Sequence, residues 1–479
     1  MQALPNSRLF ALLIVAAGAR LLMQSAAMPP YAGLDEAYHV ARLSFVRAEG
    51  RNPTIREPSI PQYLERSIAD DPRAAPAFCV TGPWWWRVVR ARRVVVVDQP
   101  VDSKFISINY EAQQPSLYYS IAARLVPAKS AMLELRAWRL LSVFFALIVV
   151  VGTALIGFRF FGPIGILGGA IVVSLPTWET LVVRAGNDAF ACAIVTIAIV
   201  ATVYGKPVVE AVAWPLAIAA KLYTWPMLIV LPLFWRSQRA GRRRVIALVI
   251  ACAIGFALTI ADLAHRTRNP LGLFAFDPSG VRVTSIHFAD MLKIWITTLA
   301  WTSGPHFDAL RPVAIAIYLL PILVAGLLGY WVARRSTSET EQLINRATLL
   351  AIAAFALAQI INAAAYARSA QSGLPAGGKE GWYWYSLAPV AVPFLLTRFR
   401  ALAWWLVAWD VLITDVALFH DYAGTTSPGH PTALFRWGPW HLPFTAQLDG
   451  IGVGPFVGAI VTLRLIHLAA FSALWWRAK

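Results

Sequence analysis

Asp35 and Glu36 stand side by side in PPYAGLDEAYH, where the first long apolar run of the chain ends. A carboxylate at such a boundary can take a proton from a hydroxyl or hold a cation. His39 follows one helical turn later. Glu111 sits with Gln113 and Gln114 in NYEAQQPSLYY, and Asn187 and Asp188 follow Arg184 in RAGNDAFA. Lys221 interrupts an apolar stretch, and Lys379 adjoins Glu380 in GGKEGWYWY. Ionisable side chains at membrane depth are costly and mark functional sites by default. Each residue also has a plainer reading. Asp35 and Asp188 suit helix N-caps. Glu36, Glu111 and Glu380 suit solvated positions. His39 suits a partner for Asp35 better than a metal ligand, and Lys221 suits snorkelling to lipid headgroups.

The elements that must position these residues are membrane helices. Of 479 residues, 58% are hydrophobic and 14% charged, a balance that points to an integral membrane protein rather than soluble domains. A net charge of +17 would suit nucleic acid. The basic residues instead fall in short clusters between apolar runs, as cytoplasmic loops do, which argues against nucleic-acid binding. Cys79, Cys192 and Cys252 are widely spaced, so neither a disulfide framework nor a zinc motif follows from them.

Apolar runs occupy residues 9–28, 139–158, 164–183, 189–204, 208–220, 223–235, 245–263, 312–332, 347–366, 382–396, 401–419 and 451–475. They predict an all-α polytopic protein with about 11–13 transmembrane helices. The first run is expected to stay as an uncleaved helix rather than leave as a signal peptide. The two runs flanking Lys221 fall short of the roughly 20 residues a span needs. They read as a hairpin that dips in and returns, or as helices extended by their flanks.

WRSQRAGRRR is the strongest short basic loop and is placed in the cytoplasm. Alternation then puts both termini inside. It puts residues 29–136, 184–188, 265–311, 367–381 and 421–450 outside, so the candidate residues gather on one side. Residues 1–479 read as one transmembrane domain, with 29–136 a loop subdomain long enough to carry its own structure. Within it, DEAYHVARLSFVRAEG reads as an amphipathic helix. Asp35, His39 and Arg42 fall on one face, and Leu34, Tyr38, Ala41 and Phe45 on the other. RRVVVV reads as a short strand, and GPWWWRVV suits a membrane interface.

The ordered series PPYAGLDEAYH, NYEAQQPSLYY, GNDAFA, KLYTWP and GGKEGWYW…LAP resembles the GT-C class of polytopic membrane glycosyltransferases. It is similar to the bacterial protein-mannosyltransferase and aminoarabinose-transferase types and reaches to about Pro389. One departure is that EGWYW lacks the arginine of a GRY-like turn, which touches the donor-side role of that stretch. The resemblance implies a sugar donor on a polyprenyl phosphate and an active site at the extracytoplasmic face of the inner (plasma) membrane. The acceptor would be a lipid, a glycan or a protein. It makes Asp35 the base, with Glu36 orienting the acceptor or a metal. Asp188, Asn187, Glu111 and His39 would support the acceptor or a metal. Lys221, Arg184 and Lys379 would contact the donor phosphate. A divalent cation, Mg or Mn, could share that task, although no ligand spacing demands one. With no second carboxylate set for a covalent intermediate, transfer would invert the sugar.

Three other classes compete. A lipid-linked glycan ligase or polymerase would carry its large outer loop nearer the C-terminus, whereas here the large loop comes first. A lipid or glycan transporter would show two related halves with broken helices and mid-bilayer charges, and no such halves stand out. A structural membrane subunit would be insensitive to replacement of Asp35.

Overall fold

A computed structural model describes residues 7–28, 36–57, 110–127, 129–267, 312–336, 338–369, 381–396, 400–415 and 453–478. Asp35, Lys379, Glu380 and the segments RRVVVV and GPWWWRVV lie outside the described residues. Every apolar run read from the sequence is mostly helical in its described part, and no strand occurs among the described residues. Among the described residues, five helices are long and apolar enough to cross a membrane, and four shorter ones are apolar. The chain is an all-α polytopic membrane protein.

The first helix, α1 (Ser7–Ala27), matches the first apolar run. The helix read in the first loop is α2 (Glu36–Glu49). A 3-10 turn (Tyr110–Gln113) leads into α3 (Leu117–Leu125). The long helix α4 (Ala131–Phe161) starts eight residues before the apolar run that announced it. Its start is polar for a reason: Ser130 Oγ caps the helix by accepting from Leu133 N. Buried Glu134 in its first turn pairs with Arg47 of α2. Hydropathy therefore missed this end, while capping and an ion pair hold it.

Residues 164–183 were read as one run but form a 3-10 turn (Gly162–Ile166), α5 (Leu167–Val172) and α6 (Pro176–Val183). Pro176 sits at the start of α6, where its missing N–H costs nothing, and it keeps the preceding residue out of the helical region. The turn is tight. A Cβ on Gly157 would lie 2.1 Å from the Gly165 carbonyl oxygen, so both strands of the turn need bare backbone.

Next come α7 (Asn187–Val203) and α8 (Pro207–Ala220). Lys221 then breaks the helix with an extended backbone, φ −165° and ψ 144°. A 3-10 stretch (Leu222–Val230) containing Pro226 and the short α9 (Leu231–Ser237) complete the hairpin. Its far end is pinned by Glu210, which accepts from Thr202, Trp235 and Arg244. The remaining helices are α10 (Arg242–Thr267), α11 (Pro312–Arg335), α12 (Glu339–Ser369), α13 (Ala388–Leu396), α14 (Arg400–Trp409) and α15 (Val453–Arg477). The larger buried core joins α1, α4 to α7 and α15, and a second core packs α7, α8, α9 and α12. Helix α10 shows Ile246, Val249, Ile250 and Ile254 outward, as a lipid-facing helix does.

Candidate functional site

The start of α2, the 111–119 segment, the α6–α7 junction and the end of α8 meet in one buried polar cluster. Glu36 is fully buried, which overturns its reading as a solvated neighbour. Its carboxylate takes a bidentate pair from Arg139 of α4, Nε to Oε1 at 2.8 Å and Nη2 to Oε2 at 2.7 Å. It also accepts from the backbone N–H of Ala185 at 2.8 Å. Arg139 donates in addition to the Met28 carbonyl at 2.6 Å. One ion pair thus ties the ends of α1 and α2, the body of α4 and the α6–α7 junction together. Bidentate Arg–carboxylate geometry is the strong form of such a pair.

The second node is Asp188. Its Oδ1 accepts from Lys221 Nζ at 2.5 Å and from the Tyr223 hydroxyl at 3.0 Å, and its Oδ2 accepts from Arg184 at 2.5 Å. Lys221 Nζ also donates to Asn187 Oδ1 at 2.7 Å. The lysine is 5% exposed, so it points into protein and does not snorkel. Asp188 does not cap its helix, because Gly186 holds the N-cap position of α7. The carboxylate instead lies in the first turn, where the helix dipole favours a negative charge.

The third node is His39. Tyr119 donates its hydroxyl to Glu111 Oε2 at 2.7 Å, and His39 Nδ1 lies 2.7 Å from the same hydroxyl and 3.3 Å from Glu111 Oε2. With the tyrosine proton spent on Glu111, Nδ1 is the donor and the Nε2 lone pair is bare. Glu111 is buried and so is not a solvated loop residue. Its turn is gripped from two sides. Arg42 donates to the carbonyls of Glu111 and Gln114, and Arg266 of α10 to those of Ala112 and Gln114. The Arg42 guanidinium also stacks 3.7 Å from the Tyr119 ring centre.

The nodes touch at Gly186. A Cβ there would lie 3.1 Å from His39 Cδ2, 3.3 Å from His39 Nε2 and 3.5 Å from Arg184 Nε. Glycine lets the α6–α7 junction lie flat against the imidazole edge. Burial, and then the charges of Arg184 and Lys221, hold His39 well below the usual histidine range, so it is neutral at pH 7.

Among the described residues, four cations (Arg42, Arg139, Arg184 and Lys221) therefore face three carboxylates (Glu36, Glu111 and Asp188). No group of three or more His, Cys, Asp or Glu residues among the described residues could hold a metal ion, so no metal ligand is assigned. Of the residues singled out from sequence, Glu36, His39, Glu111, Arg184, Asn187, Asp188 and Lys221 come together. Arg139, Tyr119, Tyr223 and Gly186 were missed. Only Arg139 left a usable trace, as a charge next to an apolar run whose helix starts earlier.

A second buried polar cluster lies apart from this site. Arg20 of α1 donates to Asp410 at 2.5 Å and to Asp415 at 3.0 Å. Arg464 of α15 donates to Asp410 at 3.0 Å and to Asp415 at 2.7 Å, and its Nη1 lies 2.8 Å from His467 Nδ1. The segment Asp410–Thr414 is a π-helix whose i→i+5 bond, from Asp415 N to the Asp410 carbonyl, sets the two aspartates one above the other. The four charged groups close a ring with no net charge.

Fold and site together define a helical membrane protein with a buried, charged polar cluster among apolar helices. The chain matches no protein-family model and no curated protein. It is similar to two crystal structures of ArnT from Cupriavidus metallidurans. The one bound to undecaprenyl phosphate has a TM-score of 0.44 and 14% identity, and the one in the apo state 0.42 and 15%. Each comparison covers 98% of this chain and 76% of the other.

Proposed function

We propose that this chain is a glycosyltransferase that moves a sugar from a polyprenyl-phosphate donor to an acceptor at the extracytoplasmic membrane face, with inversion. The observation that carries the reading is the Lys221–Asp188–Arg184 node. Two buried cations, Arg184 and Lys221, meet at the Asp188 carboxylate at a break between apolar helices. A lipid with a phosphate head answers both features, its charge meeting the cations and its tail the apolar helices. Lys221 and Arg184 would then steady the negative charge that grows on the leaving phosphate. Asp35, immediately before α2, is the base in this reading. Glu36, with both oxygens committed to Arg139 and Ala185, holds the start of α2 in place. Asn187 orients Lys221.

Undecaprenyl phosphate is the probe for this reading. Lys221→Met should weaken its binding to the purified full-length protein by about tenfold or more, since each tenfold is 1.4 kcal/mol and a buried charge contact is worth at least that. Asp188 keeps Arg184 and Tyr223, so the variant should remain folded. Unchanged affinity in a folded variant would remove the lysine from the donor site. Sidedness is a separate expectation, from the arginine asymmetry of the loops. Cysteine labelling of intact cells, in a background without the native cysteines, should place Arg242 inside and Ser59 and Thr426 outside. Labelling of all three from one side would overturn the assignment.

A further inference from the structure

We propose that His39 is a proton-accepting site coupled to the donor phosphate, empty in the resting protein and filled when an anionic lipid phosphate settles on Arg184 and Lys221. The inference rests on the transferase reading and adds a regulated proton to it.

The geometry comes first. His39 Nδ1 is held by Tyr119 and Glu111, which fixes the tautomer and turns Nε2 toward Gly186 and Arg184. No hydrogen bond to Nε2 is made among the described residues. Nδ1–H reaches the Glu111 carboxylate through the Tyr119 hydroxyl, and the carboxylate oxygen itself lies 3.3 Å from Nδ1, a negative charge placed to favour an imidazolium. Burial opposes that form first, and the charges around the ring come next. Arg42 lies on the same helix, and Tyr119 and Glu111 come from the adjoining segment. Arg184 and Asp188 flank the α6–α7 junction, and Lys221 ends α8. Of these, Arg184 and Lys221 are the largest charged opponents of a proton on His39, while Asp188 favours it.

The two opponents are the same side chains assigned to the phosphate. A bound phosphate would neutralise their field and place its own negative charge beside Nε2. Both changes favour the imidazolium, and its Nε2–H would add a third donor to the two cations. The chemistry of the transfer needs such a group. The acceptor oxygen bonds to the anomeric carbon while the bond from that carbon to the phosphate oxygen breaks, its electron pair going to the phosphate. The phosphate thereby gains one negative charge, and the acceptor hydroxyl releases one proton. Asp35 is the proposed first holder of that proton. The proton that His39 takes up on donor binding stays on Nε2 beside the phosphate and offsets the charge that the phosphate gains, until the product lipid leaves.

Linkage gives the sign. If the complex binds more protons than the free protein, affinity for the anion rises as pH falls. The ligand's own phosphate works the other way, since protonating it weakens its grip on the cations, so the histidine's share is read as a difference. Calorimetric binding of undecaprenyl phosphate to the full-length protein in lipid nanodiscs, in buffers of different ionisation enthalpy, counts protons taken up. At pH 7 the wild type should take up more protons than His39→Gln, the difference approaching about one per protein when the coupling is complete. His39→Asn serves as a second control, so that one folded variant is enough. Equal proton counts in the wild type and a folded His39 variant that still binds would overturn the inference and leave the donor reading intact. A wild type that does not bind undecaprenyl phosphate at all would instead overturn the donor reading beneath it.

Discussion

Arg464→Met should lower the yield of folded protein sharply and cost about 3 kcal/mol or more, the scale seen when one partner of a buried ion pair is removed. The reason is charge arithmetic inside apolar surroundings. Arg464 and Arg20 together balance Asp410 and Asp415, and all four side chains are largely buried. Without Arg464, two carboxylates face one guanidinium, and one negative charge is stranded between helices where no water can solvate it. The loss should spread to the whole fold, because Arg20 belongs to α1 and the aspartates to the π-segment after α14, so the ring fastens both ends of the chain to each other.

A compensating replacement separates charge from shape. Arg464→Met combined with Asp415→Leu leaves Arg20 facing Asp410 alone at 2.5 Å, a neutral pair. The double variant should recover most of the stability that the single one loses, as buried ionic groups often can be exchanged for well-packed apolar ones. Thermal unfolding in detergent, read beside the amount of protein in the membrane, is the measurement. A double variant no more stable than Arg464→Met would show that packing around Arg464, not charge balance, holds this corner.

This ring shows where a sequence stops being readable. Arg20, Asp410, Asp415, Arg464 and His467 each lie inside or beside a run that is correctly apolar, and an average over the run hides them. Their partners are up to 395 residues away, and no local spacing announces a pair at that range. The π-turn that aligns Asp410 with Asp415 has no residue signature in the chain. Lys221 was legible for the opposite reason, as a single charge between two stretches too short to span, and the structure shows that the helix breaks there. Glu36 was found but misjudged. Its value as a clamp depends on Arg139, 103 residues later, which read only as the flank of a span. Glu111 and Asp188 were found through their polar neighbours. Their partners Tyr119 and Tyr223 were not, because a tyrosine near a membrane surface reads first as an interface anchor. The helical class followed from hydropathy alone, while the breaks within residues 164–183 and 223–235 followed from prolines that hydropathy ignores.

Asp35→Asn is expected to leave the protein folded and nearly inactive. Asn caps a helix about as well as Asp, so stability should change by well under about 1 kcal/mol. What the amide cannot do is take a proton, and losing a general base lowers turnover by about a hundredfold or more. The neighbouring residue supplies the contrast. Glu36→Gln leaves Arg139 without its bidentate partner in a buried setting, so its main effect should be on thermal stability, with activity lost in proportion to folded protein. Both variants are to be measured for thermal unfolding and for transfer from an undecaprenyl-phosphate-linked sugar, with and without chelator. The expected pattern is a stable, inactive Asp35→Asn and an unstable Glu36→Gln whose folded fraction still turns over. Insensitivity to chelator in the wild type would agree with the absence of a metal-binding group among the described residues. A stable and fully active Asp35→Asn would reduce Asp35 to a helix cap. The base would then have to be sought elsewhere in the cluster.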